Sequence, residues 1–174
     1  MKIELAKRVV NYLCYQADIG YETLYKQERM GFLFGIKNQK SLRVTKAVFY
    51  KGGKKGRTGI TYNLEDFVKR GKQLASLFKK KWLGAYHTHV EETGQISFGF
   101  SKEDKMSFMA EPTLIELIIT VWAPKGPQIP VRGRRRLLII KKFGKTIYRY
   151  IISGHLKTKK TARLIKTVIL KTKL

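Results

Sequence analysis

The sequence is short of the residues that staple small folds. Its one cysteine, Cys14, forbids an internal disulfide and excludes a Cys-rich zinc finger. Such sparing use fits a reducing compartment, so a cytoplasmic protein is expected. Histidine is nearly as scarce, with three in 174 residues, so any metal site must draw on them and on carboxylates. Long apolar runs are missing too. The longest uncharged one, Leu117 to Pro124, is far too short to span a bilayer, and no transmembrane segment is expected. Glu4, Lys7 and Arg8 break the N-terminus before a secretory-type run develops. Acid is the last shortage: 12 Asp and Glu stand against 37 Lys and Arg, for a net charge of +25. A bias of that size attracts polyanions or acidic proteins but says nothing of fold.

The shortage of acid is uneven. Residues 117–174 hold 16 basic residues and no acid, so every carboxylate lies in the first 116 positions. Apolar residues make up 43% and aromatics 11%, enough for a packed core in one domain. Most Phe, Trp82 and Trp122 read as core, and Cys14, on a helical face without a base beside it, as buried and inert.

Hydrophobic spacing predicts a helix over residues 2–17 and strands over 30–37 and 42–50. A basic loop at 51–59 follows. A helix starting at Asn63 or Asp66 runs to about Lys80, and a third strand over 82–89 follows. Ser101 caps a short helix with Asp104 at its third position. A buried strand spans 113–122, and a hairpin joins 136–143 to 145–153. The apolar spacing of Leu164, Ile165, Val168 and Ile169 predicts a helical basic tail over 154–174, behind a domain of residues 1–153. Helices interleaved with strands predict an α/β fold, a three-layer mixed β-sheet flanked by helices.

His87-Thr88-His89 ends the third strand. Residues i and i+2 of a strand share a face, so both imidazoles reach one ion. Neutral imidazoles suit zinc, and a third protein ligand with an open position for water makes a catalytic site. His155, in the basic tail without a second ligand nearby, reads as a surface residue. Arg132, Arg134, Arg135 and Arg136 are denser than solubility requires and form a candidate contact for phosphates or an acidic partner.

Three elements in order resemble the JAMM (JAB/MPN) zinc metalloprotease family. They are Glu28 in ERMGFLFG, the His87-Thr88-His89 triplet, and Ser101-Lys102-Glu103-Asp104. The resemblance covers about residues 1–150. It implies a cytidine-deaminase-like JAB/MPN domain and one catalytic zinc held by His87, His89 and Asp104. It further implies Glu28 as general base and the Ser101 hydroxyl as donor to the oxyanion. The implied reaction is hydrolysis of a peptide or isopeptide bond at the C-terminus of a ubiquitin-like protein or its conjugate. The chain departs from the family in two places: Val90 replaces the usual Pro, and residues 90–100 lengthen the loop before the Ser. The usual spacing would select Ser97 and put the ligand at Phe100, which cannot bind zinc. Glu91, Glu92 and Glu103 are the rival carboxylates. The alternative is a RadC-like or non-peptidase MPN-fold module that binds nucleic acid or scaffolds a complex through its basic C-terminal region. A nucleobase deaminase fits less well, because no Cys pair completes its metal site.

Overall fold

The computed structural model describes residues 1–23, 26–55, 59–90, 97–123, 135–143 and 145–170. In chain order the elements are β1 (Lys2–Leu5), α1 (Lys7–Glu22), β2 (Met30–Lys37), β3 (Ser41–Phe49), β4 (Lys54–Lys55), β5 (Ile60–Thr61) and α2 (Leu64–Phe78). There follow β6 (Lys81–Val90), α3 (Lys102–Ala110), β7 (Ile115–Trp122), β8 (Leu137–Phe143), β9 (Thr146–Lys157) and β10 (Ala162–Ile169). The internal strands and α2 fall close to where hydrophobic spacing puts them. No helix among the described residues is long and apolar enough to cross a membrane.

The ends of the chain overturn the expected architecture. Lys2–Leu5, read as the start of a helix, is a strand between β3 and β10. The tail is no helix either: β10 pairs in parallel with β1 and antiparallel with β9. The strands β1-β3-β2-β6-β7-β9-β10 therefore close into a ring. The fold is a closed β-barrel, not a three-layer mixed sheet flanked by helices of the cytidine-deaminase-like kind. Strand β9 makes closure possible by its length. One edge pairs with β7, while the other pairs with β8 over its first part and with β10 at its end. The expected boundary between residues 153 and 154 falls inside this strand, so the tail is part of the barrel.

One core draws on every strand of the ring and on α1. Val9, Val10, Leu13, Cys14 and Ala17 of that helix cluster with Leu33, Val44, Tyr86, Leu117, Ile119, Ile152 and Ile165. Cys14 is buried as expected, and burial pushes its thiol up to about 11. A second cluster covers the other face of β2, where α2 packs Phe67 on Phe32 with ring centroids 4.4 Å apart. Burial on both faces explains why β2 reads as a continuous apolar run rather than an alternation. Its Gly31 and Gly35 are needed for close approach: a Cβ there would lie 2.1 Å from the Val48 carbonyl and 1.9 Å from that of Arg43. Strand β6 runs between β2 and β7, and its C-terminal end carries the histidine pair.

Candidate metal centre

His87 and His89 are buried on one face of β6, with their Nε2 atoms 2.9 Å apart. Asp104, in the first turn of α3, completes the group. Its Oδ1 lies 3.7 Å from the Nε2 of His87, and its Oδ2 lies 3.4 Å from that of His89. The three ligand atoms fall within 4.8 Å of one another. This is the trio that the strand periodicity and the Ser-x-x-Asp element named.

The second nitrogen of each imidazole decides what the first can do. His87 Nδ1 sits 2.5 Å from Glu116 Oε1, and His89 Nδ1 sits 3.3 Å from the Ser97 carbonyl. Both partners are acceptors, so each Nδ1 carries the proton and each Nε2 presents a lone pair. Two lone pairs and a carboxylate then face one another, an arrangement that only a cation relieves. The residues present therefore fit a zinc ion, and Glu116 supplies the carboxylate that orients a ligating histidine. Without a metal, a proton on the Nε2 of His87 meets the same demand, and a metal ion would displace it. Burial disfavours an imidazolium at His87, but Glu116 and Asp104 outweigh it and hold its pKa well above the ordinary value. Burial likewise opposes charge on Asp104, but its contacts with His87 and His89 prevail and hold its carboxyl well below the usual range.

Local structure explains how Asp104 arrives. Ser101 caps α3: its Oγ accepts from the Asp104 N–H at 3.0 Å, and Asp104 Oδ2 accepts from the Ser101 N–H at 2.9 Å. Phe100, the residue that the family spacing would make a ligand, instead stacks on Phe108 at 5.5 Å and lies 4.3 Å from the His155 ring. Glu103 lines the same cavity but stands outside the ligand trio. Glu91 and Glu92 lie outside the described residues, as do Arg132 and Arg134. Arg135 and Arg136 are described, and both serve the barrel. The Arg135 carbonyl accepts from the Thr167 N–H at 3.0 Å, and Arg136 Nε donates to Ser153 Oγ at 3.1 Å.

Glu28 is brought to the histidines by the residue between them. The Thr88 N–H donates to the Arg29 carbonyl at 2.8 Å, and Thr88 Oγ1 accepts from the Arg29 N–H at 2.9 Å. Met30 then pairs with His87 across β2 and β6. Glu28, His87, Ser101 and Asp104 thus line one cavity of about 410 Å³.

Sequence reasoning missed the far wall of this cavity. Glu116 and Glu111 are both buried there. Tyr62 donates to Glu111 Oε1 at 2.6 Å and Thr113 to its Oε2 at 3.2 Å. Burial, with the charge of Glu116 beside it, pushes Glu111 up to about 7. His155 is not the surface residue expected. It is buried opposite Glu116 in the β7–β9 register, and burial, then the charges of His87 and Arg136, push it down to about 4. A signal for Glu116 was present: it is the one charge in a strand whose eight positions are all buried.

The architecture and site together define a closed β-barrel bearing a His-His-Asp cluster whose two histidines are buried. No family model matches the chain, and no curated protein matches it. Among solved structures, it is similar to the solution structure of protein DSY2949 from Desulfitobacterium hafniense, a Northeast Structural Genomics Consortium target. The TM-score is 0.63 at 16% identity, over 99% of this chain and 94% of that one. The likeness is one of fold.

Proposed function

We propose that the protein is a zinc-dependent peptidase or isopeptidase acting at the C-terminal tail of a ubiquitin-like protein or its conjugate. One observation carries this reading: His87, His89 and Asp104 converge, and His87 and Asp104 line a cavity that Glu28 and Ser101 also line. The resemblance of these same residues to the JAMM pattern supplies the substrate class. A bound zinc ion contributes a Lewis acid and acidifies water to a pKa of about 7. Glu28 takes the proton of the attacking water and passes it to the leaving amine. Ser101 Oγ already accepts from the Asp104 N–H, which leaves its own O–H to donate to the developing oxyanion. Glu116 and the Ser97 carbonyl hold the two imidazoles in the tautomer that exposes Nε2. The lone, buried Cys14 favours a cytoplasmic setting.

The test is cleavage of a ubiquitin-like fusion alongside zinc stoichiometry. Glu28→Gln is expected to lower the rate by about 10²–10⁴ while zinc content stays at one ion per chain. His87→Ala is expected to lose the zinc. Undiminished cleavage by Glu28→Gln would sink the mechanism.

A further inference from the structure

The site cavity is acidic in a chain that is overwhelmingly basic. Among the described residues, five carboxylates line it and no Lys or Arg does. Two of these carboxylates, Glu28 and Asp104, belong to the metal end. Glu111 and Glu116 do not. Imidazole nitrogens lie on opposite edges of the ring, so Glu116, at Nδ1 of His87, sits across the ring from the ligand cluster at Nε2.

The acidic end has an unmet demand. Glu116 Oε1 is occupied by His87, but its Oε2 is buried without a hydrogen-bond partner among the described residues, on a side chain only 8% exposed. A buried carboxylate oxygen left bare is costly unless something donates to it. Glu111 beside it is pushed up to about 7, first by its own burial and then by the charge of Glu116. Lys157 offsets part of this charge through space, but its Nζ donates to the backbone carbonyls of Met109 and Glu111, not to either carboxylate. Tyr62 and Ser107 add hydroxyl oxygens to the same wall. At about 410 Å³ the cavity is near the small end of ligand clefts, which run from roughly 300 to 1,000 Å³.

We propose that the Glu111–Glu116 end of this cavity is a subsite for an organic cation, the side chain of a lysine or arginine next to the bond being cleaved. Glu116 Oε2 and the Glu111 carboxylate accept its N–H groups in charge-assisted hydrogen bonds, and Tyr62 and Ser107 flank them. That the occupant is a substrate residue rests on the hydrolase reading; that a cation binds does not. The rest of the molecule works against such binding, because a net charge of +25 repels cations at long range. A preference for a cation therefore has to come from this wall.

The experiment is an NMR shift titration of the full chain, metal removed by chelator. The probes are the N-acetyl, N-methylamide derivatives of lysine, arginine and norleucine. The lysine or the arginine probe is expected to bind at least roughly tenfold more tightly than the norleucine probe, and whichever of the two is tighter identifies an ammonium or a guanidinium site. The preference is expected to vanish in Glu116→Gln, to weaken in Glu111→Gln, and to survive Asp104→Asn at the metal end. Glu111→Gln keeps an acceptor oxygen for Tyr62, so it carries the test if Glu116→Gln does not fold. Equal binding of lysine and norleucine probes, or a preference that both glutamine variants retain, overturns the proposal. Neither zinc nor turnover enters this readout. Absent hydrolysis with an intact cation preference would remove only the hydrolase reading.

Discussion

Thr88 shows how much a single side chain between two ligands can do. Its hydroxyl and its backbone N–H both hold Arg29, one residue from the proposed base, so the histidine strand carries its own clamp for Glu28. Valine has nearly the same shape but cannot accept a hydrogen bond. Thr88→Val is therefore expected to cost about 1–3 kcal/mol, the price of an unpaired Arg29 N–H in a site where Thr88 is fully buried. It should keep zinc, since His87 and His89 are untouched, and lose kcat more than KM; Thr88→Ser should restore both stability and rate. Melting curves, zinc content and the kcat-against-KM split check this, and a valine variant with full kcat would remove the clamp. At this scale the sequence was readable where chemistry follows local geometry. His87 and His89 share a face because a strand repeats every two residues, and Ser101 and Asp104 meet because a helix cap spans three. Glu116 and His155 were not readable in the same way. Glu116 meets His87 through the pairing of β6 with β7, and His155 faces Glu116 through that of β7 with β9, neither of which spacing within one segment encodes.

Helix α3 is the element on which two roles coincide. Asp104 closes the capping box with one oxygen while both oxygens face the histidines, so the cap aims the ligand. Ser101 has a cap role that the structure shows and an oxyanion role that we propose, and two substitutions separate them. Ser101→Ala is expected to cost about 1 kcal/mol of stability, and Ser101→Asn, a good cap, to recover most of it. Cleavage is expected to fall by roughly 10²–10³ in both, because neither residue restores the hydroxyl. If Ser101→Asn regained the rate along with the stability, Ser101 would act only as a cap. The terminal elements were harder to read than α3. Leu164, Ile165, Val168 and Ile169 fit a helical stripe, yet Ile165, Thr167, Val168 and Ile169 are β-branched and suit a strand. Partners decided between these readings: β1 and the end of β9 each offer β10 an unpaired edge, whereas a helix would leave both open.

Closure is a property of the whole molecule and rests on the longest-range pairing in it, Lys2 with Lys166 and Leu5 with Ile169. No local pattern could announce it, since the two paired segments lie about 160 residues apart in the chain. It also changes the meaning of the basic tail. Arg163 and Lys166 of β10 stand among Ile165 and Thr167, which are 6% and 3% exposed, so the positive charge rides on a structural strand rather than on a separable address. A detachable tail and a closing strand make opposite predictions for a chain ending at residue 161. Removing β10 uncovers an edge of β1 and the end of β9 and takes Ile165 out of the core cluster. Open edges and an unfilled core favour loss of a single packed state and association between chains. The shortened chain is therefore expected to melt without a cooperative transition, to bind a hydrophobic dye before heating, and to lose zinc because β6 and α3 no longer share a fixed frame. Circular dichroism melts, dye fluorescence and metal analysis on the two chains measure these effects. A chain of residues 1–161 that melted cooperatively at the full-length Tm with its zinc in place would show that the ring need not close for the site to form.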